Sequence, residues 1–344
     1  MLKTQAAKKQ VKKKVAKRQR KKMLNSQRQK EKSAMLKLLK KLGKVALTSS
    51  LILAPATQVA FAQESTGEFE GEQVNVGVVG DNGAEVWGYV ADKALEQEGI
   101  EIDVTLLTDY NQPNEALANG SLDLNAFQHV AFLENWNEAN DEDLVNLGFT
   151  LVTPMGLYSD KITSVEEIVD GDSIAVPNDP TNGGRALLAL EIAGLIEVDD
   201  AVGVLPTIDD ITENPLNLEI IELDAAQIPQ SLPDVAAAII NTGHAEDAGL
   251  SVTEDAIFVD TDTPEELSDT YRNIIAARSE DAESPLLLKI VELYQTADVA
   301  EVILESSNGG SIPAWEGYEP AESTDGSEES TEESSEESTE EDTE

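Results

Sequence analysis

Arg185 is one of six cations among residues 63–318, a stretch that holds 53 acids. It ends the run Ser173-Ile-Ala-Val-Pro-Asn-Asp-Pro-Thr-Asn-Gly-Gly-Arg185, which reads as a buried strand over 174–176, broken at Pro177 and Pro180 before a helix over 186–192. The start of that helix carries Asn182, two glycines and Arg185. Free N–H groups and the helix dipole favour an anion there. A guanidinium adds a planar fork of donors matched to a carboxylate. A capped βα turn with a surface arginine is the plainer alternative. Tyr110, Phe127 and Phe132 fall within 23 positions of a chain that is 4% aromatic, and they form either a ligand-facing wall or ordinary core. Phe127 and His129 share a face if the strand continues that far. Asn241 follows the apolar run 237–240 at a strand end, where ligand contacts concentrate in open α/β sheets, or else it forms a turn. His129 alone is as readily a structural histidine. His244 has no motif around it and is assigned no role.

The elements that must position these residues alternate. Residues 74–79 and 102–107 read as strands, 84–97 as an amphipathic helix, 114–118 as a short helix, 122–127 as a strand and 131–140 as a helix. Strand material follows over 145–158, around Pro154. A second set comprises 174–176, the helix 186–193, the strand 218–223, a helix around 231–236, the strands 237–240 and 256–259, and 273–277. One or two helices over 285–306 close the body. The order βαβαβ predicts α/β lobes with mainly parallel sheets. Trp87 fits the core of its helix better than a cleft.

Charge divides the chain into zones. Residues 1–62 hold 18 of the 24 Lys and Arg and a single acid, Glu31; residues 319–344 hold 13 acids and no base. So acidic a body repels nucleic acid, anionic lipid and anionic substrates, and favours a neutral zwitterion or a cation. Lys37 to Lys44 precede an apolar segment, 45–62, that ends Ala60-Phe61-Ala62. This pattern predicts an exported protein, cleaved after Ala62 to begin at Gln63, with an uncleaved anchor as the alternative. Met35 would open a signal peptide of ordinary length. The chain has no Cys, which excludes disulfides, thiolate metal sites, Cys nucleophiles and lipid attachment through a thiol. The Ser/Glu-rich tail cannot bury enough apolar surface to fold.

The chain resembles the NlpA-type, methionine-binding substrate-binding lipoproteins of bacterial ABC importers over about 74–299. The resemblance is carried by Asp109-Tyr110, Pro113-Asn114-Glu115-Ala116-Leu117, Asn125-Ala126-Phe127-Gln128-His129 and Pro154-Met155-Gly156-Leu157-Tyr158-Ser159. Ala175-Val-Pro-Asn-Asp-Pro-Thr-Asn182 with Gly184-Arg185, Ile240-Asn241 and Asn273-Ile274 complete it. It implies a type II periplasmic-binding-protein fold of two lobes, here 63–158 plus 273–318 and 159–272, with chain crossings near Ser159 and Asn273. Residues 1–62 are then basic segment and signal peptide, and 319–344 a disordered acidic tail.

The same resemblance implies an extracytoplasmic monomer, neither an enzyme nor a cofactor or metal protein, that binds L-methionine and delivers it to a permease and ATPase complex. Another apolar amino acid or a short Met peptide is the alternative ligand. An aromatic pocket for the thioether falls on Tyr110, Phe127 and Phe132, with His129 beside it. A polar clamp falls on Asn182, Arg185, Asn241 and Asn273, with Arg185 on the ligand carboxylate. A soft, polarizable thioether suits such rings. The missing lipid-attachment Cys departs from the family's pattern and implies an unlipidated protein. Two rival classes remain: an enzyme using His129, Asp109 or other carboxylates, although no nucleophile elbow, metal-ligand spacing or phosphate loop is present, and a surface interaction protein acting through its acidic tail.

Overall fold

The computed structural model describes residues 68–318 apart from 262, 265 and 266. The expected signal segment, the expected cleavage after Ala62 and the tail 319–344 lie outside the described residues. In chain order come β1 (Gln73–Val79), α1 (Asp81–Glu98), β2 (Glu101–Leu107), α2 (Gln112–Ala118), β3 (Leu124–Ala126), α3 (Val130–Asn140), β4 (Val145–Phe149) and β5 (Leu151–Val152). Then follow β6 (Gly156–Tyr158), β7 (Ser173–Pro177), α4 (Pro180–Ile192), β8 (Glu197–Val198), β9 (Ile211–Glu213), β10 (Glu219–Leu223), α5 (Ile228–Ser231), β11 (Ala237–Ile240), α6 (Thr242–Asp247) and β12 (Phe258–Val259). The last elements are β13 (Ile274–Ala277), α7 (Pro285–Tyr294), α8 (Ala297–Ser306) and β14 (Ile312–Pro313).

Two five-stranded sheets organise the molecule. The first has the order β2-β1-β3-β13-β4 and the second β10-β7-β11-β6-β12. In the first, β1 runs parallel to β2 and β3, while β13 is antiparallel to β3 and β4. In the second, β7 is parallel to β10 and β11, and β6 is antiparallel to β11 and β12. Each sheet is therefore parallel but for one reversed strand, as the alternating elements predict. Apolar side chains cover both faces of both sheets. Val74, Val76 and Val78 meet Trp87 and Val90 of α1 and Ile290 of α7 on one face of the first sheet. Leu117, Leu133 and Ile274 pack on its other face. Trp87 is a core residue that stacks on Tyr294 with centroids 5.2 Å apart, and part of it also reaches the cavity described below.

The structure departs from the sequence reading at three places that bear on the site. Strand β6 belongs to the second sheet, so the chain first crosses between the lobes at residues 153–155, before Gly156, and not near Ser159. Helix α4 begins at Pro180 instead of Ala186. Proline at the first helical position needs no N–H partner and has its φ pre-set, so Pro180 starts the helix where the sequence reading took it for a break. The helix read around 231–236 is the short α5 over Ile228–Ser231. Leu232 keeps helical backbone, φ −49° and ψ −38°, as the residue after its last turn, and Pro233, which has no N–H to donate, follows where the helix stops.

Candidate functional site

A cavity of about 140 Å3 lies between the lobes, far above the roughly 10–15 Å3 that one water needs. All eight residues singled out by the sequence line it: Tyr110, Phe127, His129 and Phe132, then Asn182, Arg185, Asn241 and Asn273. Val79, Ala126 and Asn241 bring the ends of β1, β3 and β11 to it, the position expected in open α/β sheets. The first lobe supplies the aromatic side. Tyr110 and Phe127 have centroids 5.8 Å apart, and Phe132 meets each edge-on at 6.1 and 5.7 Å. Asp109 holds the turn before α2 by accepting from the backbone N–H of Asn111 at 2.8 Å and of Gln112 at 3.1 Å. That carboxylate also accepts from the Gln112 side chain and does not line the cavity.

His129 caps α3. Its Nδ1 accepts from the Phe132 N–H at 3.1 Å, and its backbone bridges to Asn273. Burial first, and the Arg185 charge second, hold its pKa down to about 3, with Asn182 opposing. The ring is therefore neutral at ordinary pH and carries its hydrogen on Nε2. That nitrogen is buried and has no protein partner. The other lobe answers with Asn241. Its Nδ2 donates to Asn182 Oδ1 at 2.7 Å, and its own Oδ1 is buried without a donor. Beside the aromatic wall the cavity thus holds an unused donor on His129 and an unused acceptor on Asn241, among its unpartnered polar atoms. Buried polar atoms are nearly always paired in a native fold, so such a pair marks where a ligand's groups belong.

The start of α4 is not the open anion site that its sequence suggests. Asp179 caps it, accepting from Asn182 N at 2.9 Å and from Asn182 Nδ2 at 3.0 Å. A carboxylate of the protein already occupies that positive end. Gly183 and Gly184 serve packing: a Cβ on Gly183 would come within 2.8 Å of the Pro177 carbonyl oxygen, and one on Gly184 within 3.0 Å of Leu205 Cα. Arg185 is buried and engaged. Its Nη2 meets Asp260 Oδ2 at 2.7 Å and donates to Thr153 O at 2.9 Å, and its Nε donates to Asp260 Oδ2 at 2.8 Å. Its guanidinium also lies 4.7 Å from the Tyr271 ring centroid. It is therefore a cavity wall tied to both chain crossings, and its role exceeds the free carboxylate clamp of the sequence reading.

Asp260, Tyr271 and His244 were not found from sequence. His244 has its ring 4.6 Å from Tyr110, across the lobes, and a buried Nε2 without a partner. One signal was available for it: the chain has only two histidines, and both line the cavity. Among the described residues no cluster of His, Cys, Asp and Glu is placed to hold a metal ion, and no helix is long and apolar enough to cross a membrane.

A model of the NlpA lipoprotein family matches residues 74–315. The chain belongs to that family. MetQ of Salmonella typhimurium strain LT2, a D-methionine-binding lipoprotein, is 41% identical over 273 residues, covering 78% of this chain and 96% of the relative. MetQ of Escherichia coli K12 is 40% identical over 250 residues, 72% of this chain and 90% of that one. The crystal structure of the methionine-binding protein MetQ aligns with TM-score 0.68 at 40% identity, over 71% of this chain and 98% of the other. A nutrient-binding protein from Burkholderia cenocepacia bound to methionine aligns with TM-score 0.66 at 40% identity, over 70% and 99%. The NlpA strings in this chain do different jobs. Tyr110, Phe127 and His129 face the cavity, whereas Asn114 and Asn125 lie behind it in a buried amide cluster that holds the wall in place.

Proposed function

We propose that this chain captures L-methionine, or a close analogue, between its two lobes and delivers it to the permease and ATPase of an ABC importer. The observation that carries the reading is the meeting of an aromatic wall with the unused His129 Nε2 and Asn241 Oδ1 in one inter-lobe cavity. A thioether packs against the rings of Tyr110, Phe127 and Phe132. A carboxylate accepts from His129 Nε2, and an ammonium donates to Asn241 Oδ1, with Asn182, Asn273 and Arg185 completing the polar side. A zwitterion of zero net charge also avoids repulsion by the acidic body. The relatives are named for binding methionine, which supports a protein that binds and hands over its ligand; that it acts as a monomer and without chemistry is part of the proposal.

A thermal-shift screen of the amino acids, with both methionine enantiomers, tests this. Methionine at a hundred times its dissociation constant should stabilise the chain by about 2.7 kcal/mol. A null result with both enantiomers beside a clear shift with an unrelated solute would remove the assignment.

The export reading is also a proposal. We infer that the mature protein starts at Gln63 and carries no thioether-linked lipid, because the 344 residues contain no thiol. The relatives are named lipoproteins, so this chain departs from them in how it is retained. N-terminal sequencing and intact mass of protein from the native host should give Gln63 and an unmodified mass. A start upstream of Val45 in a membrane pellet would mean that the apolar segment stays as an anchor.

A further inference from the structure

The sequence reading left Glu246 and Asp247 without a role, yet both reach across the cleft. Helix α1 of the first lobe begins at Gly80, with φ 83° and no side chain to cap the helix. The cap comes from the second lobe. The Asp81 N–H donates to Asp247 Oδ1 at 2.9 Å, and Asn82 Nδ2 donates to Glu246 Oε2 at 2.6 Å. A Cβ on Gly80 would stand 3.2 Å from Asp247 Oδ2, so glycine makes room for the carboxylate. An eighteen-residue helix presents its positive end to that carboxylate. Asn111 Nδ2 to Asp224 Oδ2 at 3.4 Å and the Tyr110–His244 stack join the lobes nearby.

We propose that Glu246 and Asp247 form a latch whose docking on the first turn of α1 holds the lobes closed over the ligand. They are positioning residues, acting on capture through closure, and the proposal rests on the capture reading above.

A proton is coupled to this latch. Glu246 Oε1 is buried at the cavity and accepts from no donor. The groups around it offer no cation. Its own helix supplies Asp247 and the buried, neutral His244; α1 supplies Asp81 and Asn82; β6 supplies the Tyr158 hydroxyl; and the segment after α8 supplies Ser307, Gly310 and Ser311. Burial first and the Asp247 charge second push Glu246 up to about 8, against the Asn82 bond. Opening takes Asn82 away and hydrates the carboxyl, which returns it towards the ordinary range. The closed form therefore binds the extra proton. Closure is strongest at mildly acid pH and weakens as pH rises through about 8. Burial holds the His244 pKa down, and protonating that ring would oppose closure from the acid side, a trend of the opposite sign.

Calorimetry of L-methionine on the full chain, at about pH 6 and about pH 8.5 in buffers of different ionisation enthalpy, reads both effects. The dissociation constant should weaken at least about tenfold at the higher pH, with proton uptake near neutrality. Glu246→Gln should flatten both. Asp247→Ala should weaken binding about fivefold near pH 6 through loss of the cap, and less at the higher pH, where it also removes a charge that opposes the ionised Glu246. Solution scattering of the ligand-free chain supplies a readout without ligand: Asp247→Ala, and wild type at the higher pH, should be more open. A wild-type constant that is flat with pH, a slope retained in Glu246→Gln, or Asp247→Ala scattering and binding as wild type would each overturn the latch. No heat from methionine at any pH, beside the expected scattering changes, would instead overturn the capture reading and leave the latch standing.

Discussion

Arg185→Ala is expected to destabilise the protein by about 3–5 kcal/mol, as well as abolishing tight ligand capture. The reason lies in what the guanidinium holds. The Arg185 and Asp260 side chains are 7% and 6% exposed, so truncation leaves a carboxylate buried without its cation. Asp260 Oδ1 accepts from Met155 N at 2.7 Å, while Arg185 donates to Thr153 O. One ion pair thus ties the second-lobe helix α4 to the first crossing at 153–155 and to the start of the second. Losing a charged partner in a desolvated site typically costs a further 2–5 kcal/mol of binding. Arg185→Lys should fall between, because a point charge can face Asp260 but cannot also reach Thr153 O and stack on Tyr271. Adding Asp260→Asn to Arg185→Ala separates the two losses: it should restore part of the stability and none of the affinity. Urea midpoints and methionine titrations of the three variants give the comparison. If Arg185→Ala unfolds at the wild-type midpoint, the ion pair does not hold the crossings.

Much of this site was legible because its residues terminate strongly patterned elements. The apolar runs before Asn178 and Asn241, bounded by turn residues, read as buried strands, and family strings placed Tyr110, Phe127 and His129 beside the same cleft. What escaped depends on chain distance. Asp260 lies 75 residues from Arg185, and nothing local in Val259-Asp260-Thr261 distinguishes it from 52 other body acids. Tyr271 backs both Arg185 and His129, a contact that no periodicity encodes. The start of α4 was misread for a different reason. Proline both breaks and begins helices, and only the Asp179 side chain turning back on Asn182 N decides between the two. The pairing of Gly80 with Asp247 is less legible still, since it exists only when the lobes meet.

Asn114→Ala is expected to cost about 2–4 kcal/mol of stability and to weaken methionine binding, although Asn114 does not line the cavity. Asn114, Asn125 and Gln128 are 0%, 0% and 2% exposed, and they satisfy one another. Asn114 Nδ2 donates to Gln128 Oε1 at 2.8 Å, while its Oδ1 accepts from Asn125 Nδ2 at 2.8 Å and from Gln128 Nε2 at 2.6 Å. Gln128 Nε2 also reaches Asn125 Oδ1 at 2.9 Å. Removing the central amide strands two others in a dry interior, and each orphaned group costs about 1–3 kcal/mol. The cluster joins α2, which follows Tyr110, to β3 and the segment carrying Phe127 and His129. Loosening it lets the aromatic wall and the His129 donor drift, so affinity should fall with stability. Asn114→Asp should be at least as damaging, because it puts a carboxylate where an amide donated to Gln128 and brings no cation with it. Denaturant unfolding and calorimetry on the same samples check both effects. A variant that loses stability but binds methionine as tightly as wild type would confine the cluster to the core and leave the wall positioned by other contacts.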